Sequence, residues 1–249
     1  MDTLRKTQDQ NKRIRLIMEL RNKGITDTKV LSAMERVARD VFVPPAVQTQ
    51  AWEDIALPIG RGQTISQPFV VATMTAALGL TDRDKVLEIG TGCGYQTAIL
   101  AKLCRRVYTI ERHKVLLERA EAVFHQLKIR NVTVLAGDGM KGWPTMHGID
   151  QAPFDKIICT AAAREKPPDA LISQLRIGGV LVIPVGENGQ QRLKRYVKET
   201  PESLVIRDLM PVRFVPLLPD VALAGPAPED DDDFETLWER GRTLTERVV

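Results

Sequence analysis

Three glycines, Gly90, Gly92 and Gly94, alternate with other residues between a short apolar run and a helical pattern. Glycine lets the chain turn sharply and brings backbone N–H groups up to a ligand, and a helix start adds a favourable field for polar or anionic groups. Glu111 ends the next apolar run about twenty residues on, where a carboxylate can accept hydrogen bonds from both hydroxyls of a ribose. Asp138, in a Gly-Asp-Gly turn after a third run, is placed to meet an adenine edge. Together these residues describe a nucleoside site, whereas a G-x-G loop alone is equally a tight turn between strand and helix.

A dinucleotide loop places its third glycine three positions after the second, against a pyrophosphate. Here Gly94 comes two positions after Gly92, and Tyr95 takes the expected place. That spacing disfavours a nicotinamide cofactor and better suits the amino acid end of S-adenosylmethionine, with Glu88 near the base of the loop. The alternative for Glu88 is a strand-end carboxylate satisfied by backbone donors. His113, His125 and His147 lack zinc spacing, so no metal is expected. Cys93 lies in the loop without a partner base nearby in sequence, and reads as a small residue in a tight turn. No G-x-S-x-G elbow is present, which argues against a serine hydrolase.

The elements that must position these residues follow from periodicity. Residues 12 to 22 and 28 to 38 carry apolar positions at helical spacing, and Pro44 and Pro45 end that opening region. A Gly-rich stretch from Pro58 to Gln67 precedes Pro68, which suits the first turn of a helix running to about Leu78. From Lys85, the runs VLEIG, VYTIE, VTVLA, FDKIICT and GGVLVIPVG alternate with helical patterns starting at Tyr95, His113 and Pro168. Such alternation specifies parallel strands joined by crossover helices, a doubly wound α/β sheet. RLKRYVKE and SLVIRDLMPVRFVPL, separated by a short connection, are expected as an antiparallel pair closing that sheet. Residues 1–220 are thus read as one catalytic domain with an N-terminal helical part to about residue 60. Residues 221–249 read as a linker, an acidic run and a short C-terminal helix.

GQTISQPFVVATM, EIGTGCGYQTAILA, GDGMKGWP, FDKIICTAAA and LVIPVG occur together and in this order. The set closely resembles the protein-L-isoaspartate O-methyltransferase family over roughly residues 12 to 218, and GQTISQP is the most specific part. The resemblance implies a Rossmann-like methyltransferase fold and methyl transfer from S-adenosylmethionine to an isoaspartyl carboxylate. The ester then closes to a succinimide, which hydrolyses partly to aspartate. It implies that Ser66 orients the acceptor, with Ile65 and Gln67 lining the same cleft. It also implies that Glu111 and Arg112 bracket the ribose and that Asp138 with Gly139 meets the adenine. Thr160, Ala161, Val185 and Gly186 would border the peptide groove. Without the family, Ser66 reads as a capping hydroxyl for the next helix, Ile65 and Gln67 as loop packing, Arg112 as solvated and Val185 as core.

The net charge of +3 gives no global drive toward nucleic acid or an anionic membrane, and isoaspartyl proteins and peptides are the expected partners. Lys194, Arg195, Tyr196 and Lys198 form a small basic patch that would suit an RNA methyltransferase, or equally a charged edge strand. A binding module that holds the cofactor without turnover is the nonenzymatic rival. The first twenty residues lack an apolar core, and three cysteines without pairing signals suit a reducing compartment, so a cytoplasmic location is expected.

Overall fold

The computed structural model describes residues 2–187 and 189–222, and the expected acidic run and terminal helix lie outside them. The chain divides into two compact units, one reaching to Thr73 and one over Met74–Ala222.

The first unit opens with α1 (Asp2–Asn22) and α2 (Thr28–Arg36). The carboxylate of Asp27 caps α2, accepting from the N–H groups of Lys29 and Val30, which have no partner inside the helix. Two short 3₁₀ turns, Arg39–Phe42 and Pro45–Gln50, carry the chain to a hairpin of β1 (Leu57–Gly60) and β2 (Gln63–Ile65). This hairpin occupies the Gly-rich stretch, to which the sequence pattern assigns no strand. Helix α3 spans Pro68–Leu78, starting at the predicted proline.

The second unit holds a seven-stranded sheet. Its strands are β3 (Lys85–Ile89), β4 (Arg106–Glu111), β5 (Val132–Ala136), β6 (Phe154–Cys159), β7 (Leu175–Val185), β8 (Gln191–Lys198) and β9 (Leu204–Val212), in the spatial order β5-β4-β3-β6-β7-β8-β9. Strands β3 to β7 pair in parallel, and β8 and β9 close the sheet antiparallel, as the alternating segments predict. The connecting helices are α4 (Tyr95–Ala101), α5 (Lys114–Gln126) and α6 (Asp169–Gln174). Leu87, Ile89, Phe154, Ile157, Leu181 and Ile183 belong to one buried cluster, which is why the central strands read as unbroken apolar runs. Edge strand β9 is largely exposed and carries Arg207, Asp208 and Pro211, residues that discourage pairing with another chain.

The chain runs outward from β3 through β4 to β5, then returns to β6 on the other side of β3. Crossover helices diverge at such a reversal, and a crevice opens beyond the carboxyl ends of the strands. The glycine loop lies there.

Candidate active site

Gly90, Gly92 and Gly94 all have positive φ, at 92°, 54° and 90°. Close packing adds to this conformational demand. A Cβ on Gly90 would meet Thr160 Oγ1 at 2.3 Å, and one on Gly94 would meet the Phe124 ring at 2.6 Å. Cys93 is buried, in keeping with a small residue filling the turn. The loop is braced on Glu111, whose carboxylate accepts from Gly92 N at 2.8 Å and His113 N at 2.9 Å. Burial pushes the Glu111 carboxyl up, and these backbone donors oppose that. An ionised carboxylate only accepts, so its place at the strand end suits hydroxyl donors such as those of a ribose.

Glu88 is fully buried at the base of the loop. Its Oε2 accepts from the hydroxyls of Thr97 and Thr109, the latter at 2.7 Å, and Thr109 in turn contacts the Thr91 hydroxyl at 2.6 Å. Its donors are thus side-chain hydroxyls rather than the backbone groups of the alternative reading. The other oxygen, Oε1, is buried with no hydrogen-bond partner among the described residues. Burial pushes the Glu88 carboxyl up to about 8, against the lowering effect of the two threonines.

Asp138 follows β5 and accepts from Met140 N at 2.9 Å. Burial alone would raise its carboxyl, but the N–H groups of Asp220 and Met140 and the Lys141 ammonium outweigh it, holding Asp138 below the usual carboxylate range. A Cβ on Gly139 would meet Ile89 at 2.2 Å, so this turn packs directly against β3. The segment after β9 returns along the strand ends: Leu217 N donates to Ala162 O, and Ala222 N donates to Arg112 O. The Arg112 guanidinium donates to the carbonyls of Pro219 and Asp220, so this side chain holds that segment. Thr160 donates to Gly90 O at 2.7 Å and packs under the loop. Ala161 is half-buried, and Val185 belongs to the core cluster, consistent with core packing. Gly186 N donates to Ala163 O.

The GQTISQP motif lies in the first unit. Ile65 is buried, and Ser66 and Gln67 are half-buried. The N–H of Phe69, at the start of α3, donates to Asp54 Oδ1 at 2.7 Å, so a remote carboxylate supplies the cap for which Ser66 was the local candidate. Sequence reasoning missed Asp54, Arg39, Thr97 and Thr109. For Thr97 and Thr109 one signal existed, a hydroxyl inside an apolar run.

A loop that hands its N–H to a carboxylate ending the next strand suits a nucleoside without a pyrophosphate. On this sheet, that makes the class the S-adenosylmethionine-dependent α/β methyltransferases. The family is narrower. The sequence model of Protein-L-isoaspartate(D-aspartate) O-methyltransferase matches residues 10–222, and the chain belongs to that family. Protein-L-isoaspartate O-methyltransferase of Rhodospirillum centenum is 53% identical over 218 residues, covering 88% of this chain and 96% of that protein. The enzyme of the same name from Rhodospirillum rubrum is 57% identical over 210 residues, covering 84% and 93%. A solved structure described as a protein-L-isoaspartate O-methyltransferase from Plasmodium falciparum, in complex with S-adenosyl-L-homocysteine, superposes with a TM-score of 0.68 at 25% identity. It covers 82% of this chain and 97% of that one. A second protein-L-isoaspartate O-methyltransferase structure gives 0.73 at 28% identity, covering 84% and 67%.

Proposed function

We infer that this chain is a repair methyltransferase that esterifies the carboxylate of L-isoaspartyl residues in damaged proteins and peptides, with S-adenosylmethionine as methyl donor. The observation that carries the reading is the Glu111 carboxylate at the end of β4, an acceptor that braces the Gly92 N–H at 2.8 Å where a ribose hydroxyl would donate. Family membership supplies the acceptor.

Bound cofactor supplies an electrophilic methyl group on a sulfonium, which departs as a neutral thioether. Glu111 and Arg112 would hold the ribose, Asp138 and Gly139 the adenine edge, and the turn at Gly90 to Gly94 would border the amino acid end. Glu88 supports that loop from below. The acceptor carboxylate, with an ordinary pKa near ~4, is already ionised at neutral pH, so no residue need remove a proton. Ser66 orients it, and Ile65, Gln67, Thr160, Ala161, Val185 and Gly186 border the peptide. Holding the carboxylate oxygen in line with the methyl group can contribute about 7 to 11 kcal/mol. Without further catalysis, the backbone nitrogen of the next residue then attacks the ester carbonyl and expels methanol, and water opens the resulting succinimide partly to aspartate.

The reading treats residues 1–220 as the catalytic domain, helical to about residue 60, with 221–249 as an appendage, in keeping with the family match over 10–222. It places the protein in the cytoplasm, in keeping with three buried cysteines. No helix among the described residues is long and apolar enough to cross a membrane.

The test uses radiolabelled S-adenosylmethionine and two peptides differing only in an L-isoaspartyl or a normal aspartyl linkage. Base-labile label on the isoaspartyl peptide alone is expected. Label on neither, with cofactor binding confirmed by calorimetry, would overturn the assigned acceptor, and RNA would be tried next.

A further inference from the structure

The acceptor motif leaves a short hairpin and enters α3 without regular structure at Ser66 and Gln67. Two buried polar side chains remote in sequence hold it. Arg39 is 0% exposed, and its guanidinium donates to the carbonyls of Ala51 at 2.6 Å, Ile55 at 2.9 Å and Ser66 at 3.2 Å. Asp54 lies in the same turn, with its side chain 3% exposed. Its Oδ2 accepts from Gln67 Nε2 at 3.0 Å and from Lys23 Nζ at 2.6 Å, while Oδ1 takes the N–H of Phe69. The turn at 51–55 is therefore tied to residues 66–69 twice, by a cation on carbonyls and by an anion on donors.

Burying charge is an expensive way to gain stability, since apolar side chains of similar volume do as well or better. A guanidinium instead offers a rigid planar fork of donors able to span several carbonyls. An ionised carboxylate only accepts, so the Gln67 amide must turn its NH₂ toward Asp54. That leaves the Gln67 carbonyl oxygen as the pole open to the N–H of an acceptor peptide.

We propose that Arg39 and Asp54 are positioning residues for the acceptor motif, Arg39 fixing Ser66 through its carbonyl and Asp54 fixing the orientation of the Gln67 amide. The inference rests on the methyltransferase reading above. Lys23 supplies the counter-charge, and its hydrogen bond to Asp54 raises the Lys23 ammonium above its ordinary value.

The test is a double-mutant cycle on isoaspartyl-peptide methylation, with rates normalised to the cofactor-binding fraction measured by calorimetry. Asp54→Asn keeps the size and can still cap Phe69, but it sets an NH₂ against the amide of Gln67. It is expected to lower kcat/KM by roughly 10- to 100-fold, the cost of a small misplacement of reacting groups, with cofactor affinity unchanged. In the Gln67→Ala background the same change should cost less than about 2-fold, because its route to the peptide is gone. Full additivity would overturn the role of Asp54, since a merely structural residue costs the same in both backgrounds. Should Asp54→Asn fail to fold, Gln67→Leu at its half-exposed position decides, and unchanged kcat/KM there overturns the proposal. Arg39→Lys, which swaps the planar fork for a flexible ammonium, is expected to lower kcat by about 10-fold, and unchanged kcat and KM would remove Arg39. No label from the unsubstituted protein would overturn the methyltransferase reading and the clamp with it. Label with full additivity overturns the clamp alone.

Discussion

The loop at 90–94 and the motif at 62–68 each carry glycine and lead into a helix, yet they are enclosed to different degrees. The first is packed solid: a Cβ would collide at Gly90 with Thr160 and at Gly94 with Phe124 and Ala120, while at Gly62 it would meet nothing within 4 Å. The motif has no such collision at its glycine, and long-range hydrogen bonds from Arg39 and to Asp54 hold it. A binding site for a constant cofactor tolerates rigid steric enclosure, because the same shape is bound on every turnover. A site for an isoaspartyl residue in many protein contexts needs a few polar groups aimed correctly and little enclosure around them.

Substitution at the glycines should expose that contrast most strongly. Gly94→Ala adds overpacking to a left-handed backbone and should cost about 2 to 4 kcal/mol of stability with loss of cofactor binding. Gly62→Ala should cost only about 1 kcal/mol, the backbone part alone. Denaturant melts of the two variants check this, and equal losses would erase the distinction. Glu111→Ala removes both the loop brace and the ribose acceptor, and should weaken cofactor binding by about 2 to 4 kcal/mol in calorimetry. Unaltered affinity would take Glu111 out of the site. Ser66→Ala acts on the other side of the comparison. It should lower kcat by roughly 10-fold, the worth of one hydrogen bond to a carboxylate, while cofactor affinity stays within about 2-fold. A fall in affinity matching the fall in rate would mean that Ser66 does not belong to the acceptor side alone.

The cofactor side of the comparison also carries a pH dependence. The Glu88 carboxyl, pushed up to about 8 from an ordinary 4.5, keeps its proton in the folded protein at pH values where the unfolded chain has lost it. Stability is therefore lost as pH rises through that window, levels off above about 8, and carries no such cost below about 4.5. Glu88→Gln removes the titration, so its melting temperature relative to the unsubstituted protein should rise from pH 5 to pH 8. A difference that does not change with pH would show that Glu88 is ionised in the fold.

Much of the cofactor half was legible because its determinants are local. The alternation of apolar runs and helical patterns specified β3 to β7 and their crossovers, and Pro68 marked the start of α3. Gly90, Glu111 and Asp138 could be placed at strand ends because periodicity locates those ends. The hairpin at 57–65 was less legible, since strands of four and three residues carry too little pattern to separate from a turn.

From the sequence alone came the parallel sheet, its antiparallel closure, the nucleoside loop and, through five motifs in order, the family. These rest on spacing within a few residues, which the chain carries wherever it goes. Only the tertiary structure showed that Glu88 is held by Thr97 and Thr109, that the segment after β9 returns to Arg112, and that Arg39 and Asp54 hold the acceptor motif. A buried polar group must find a partner, and which partner is decided by what the fold brings within about 3 Å, at sequence separations that no local pattern encodes.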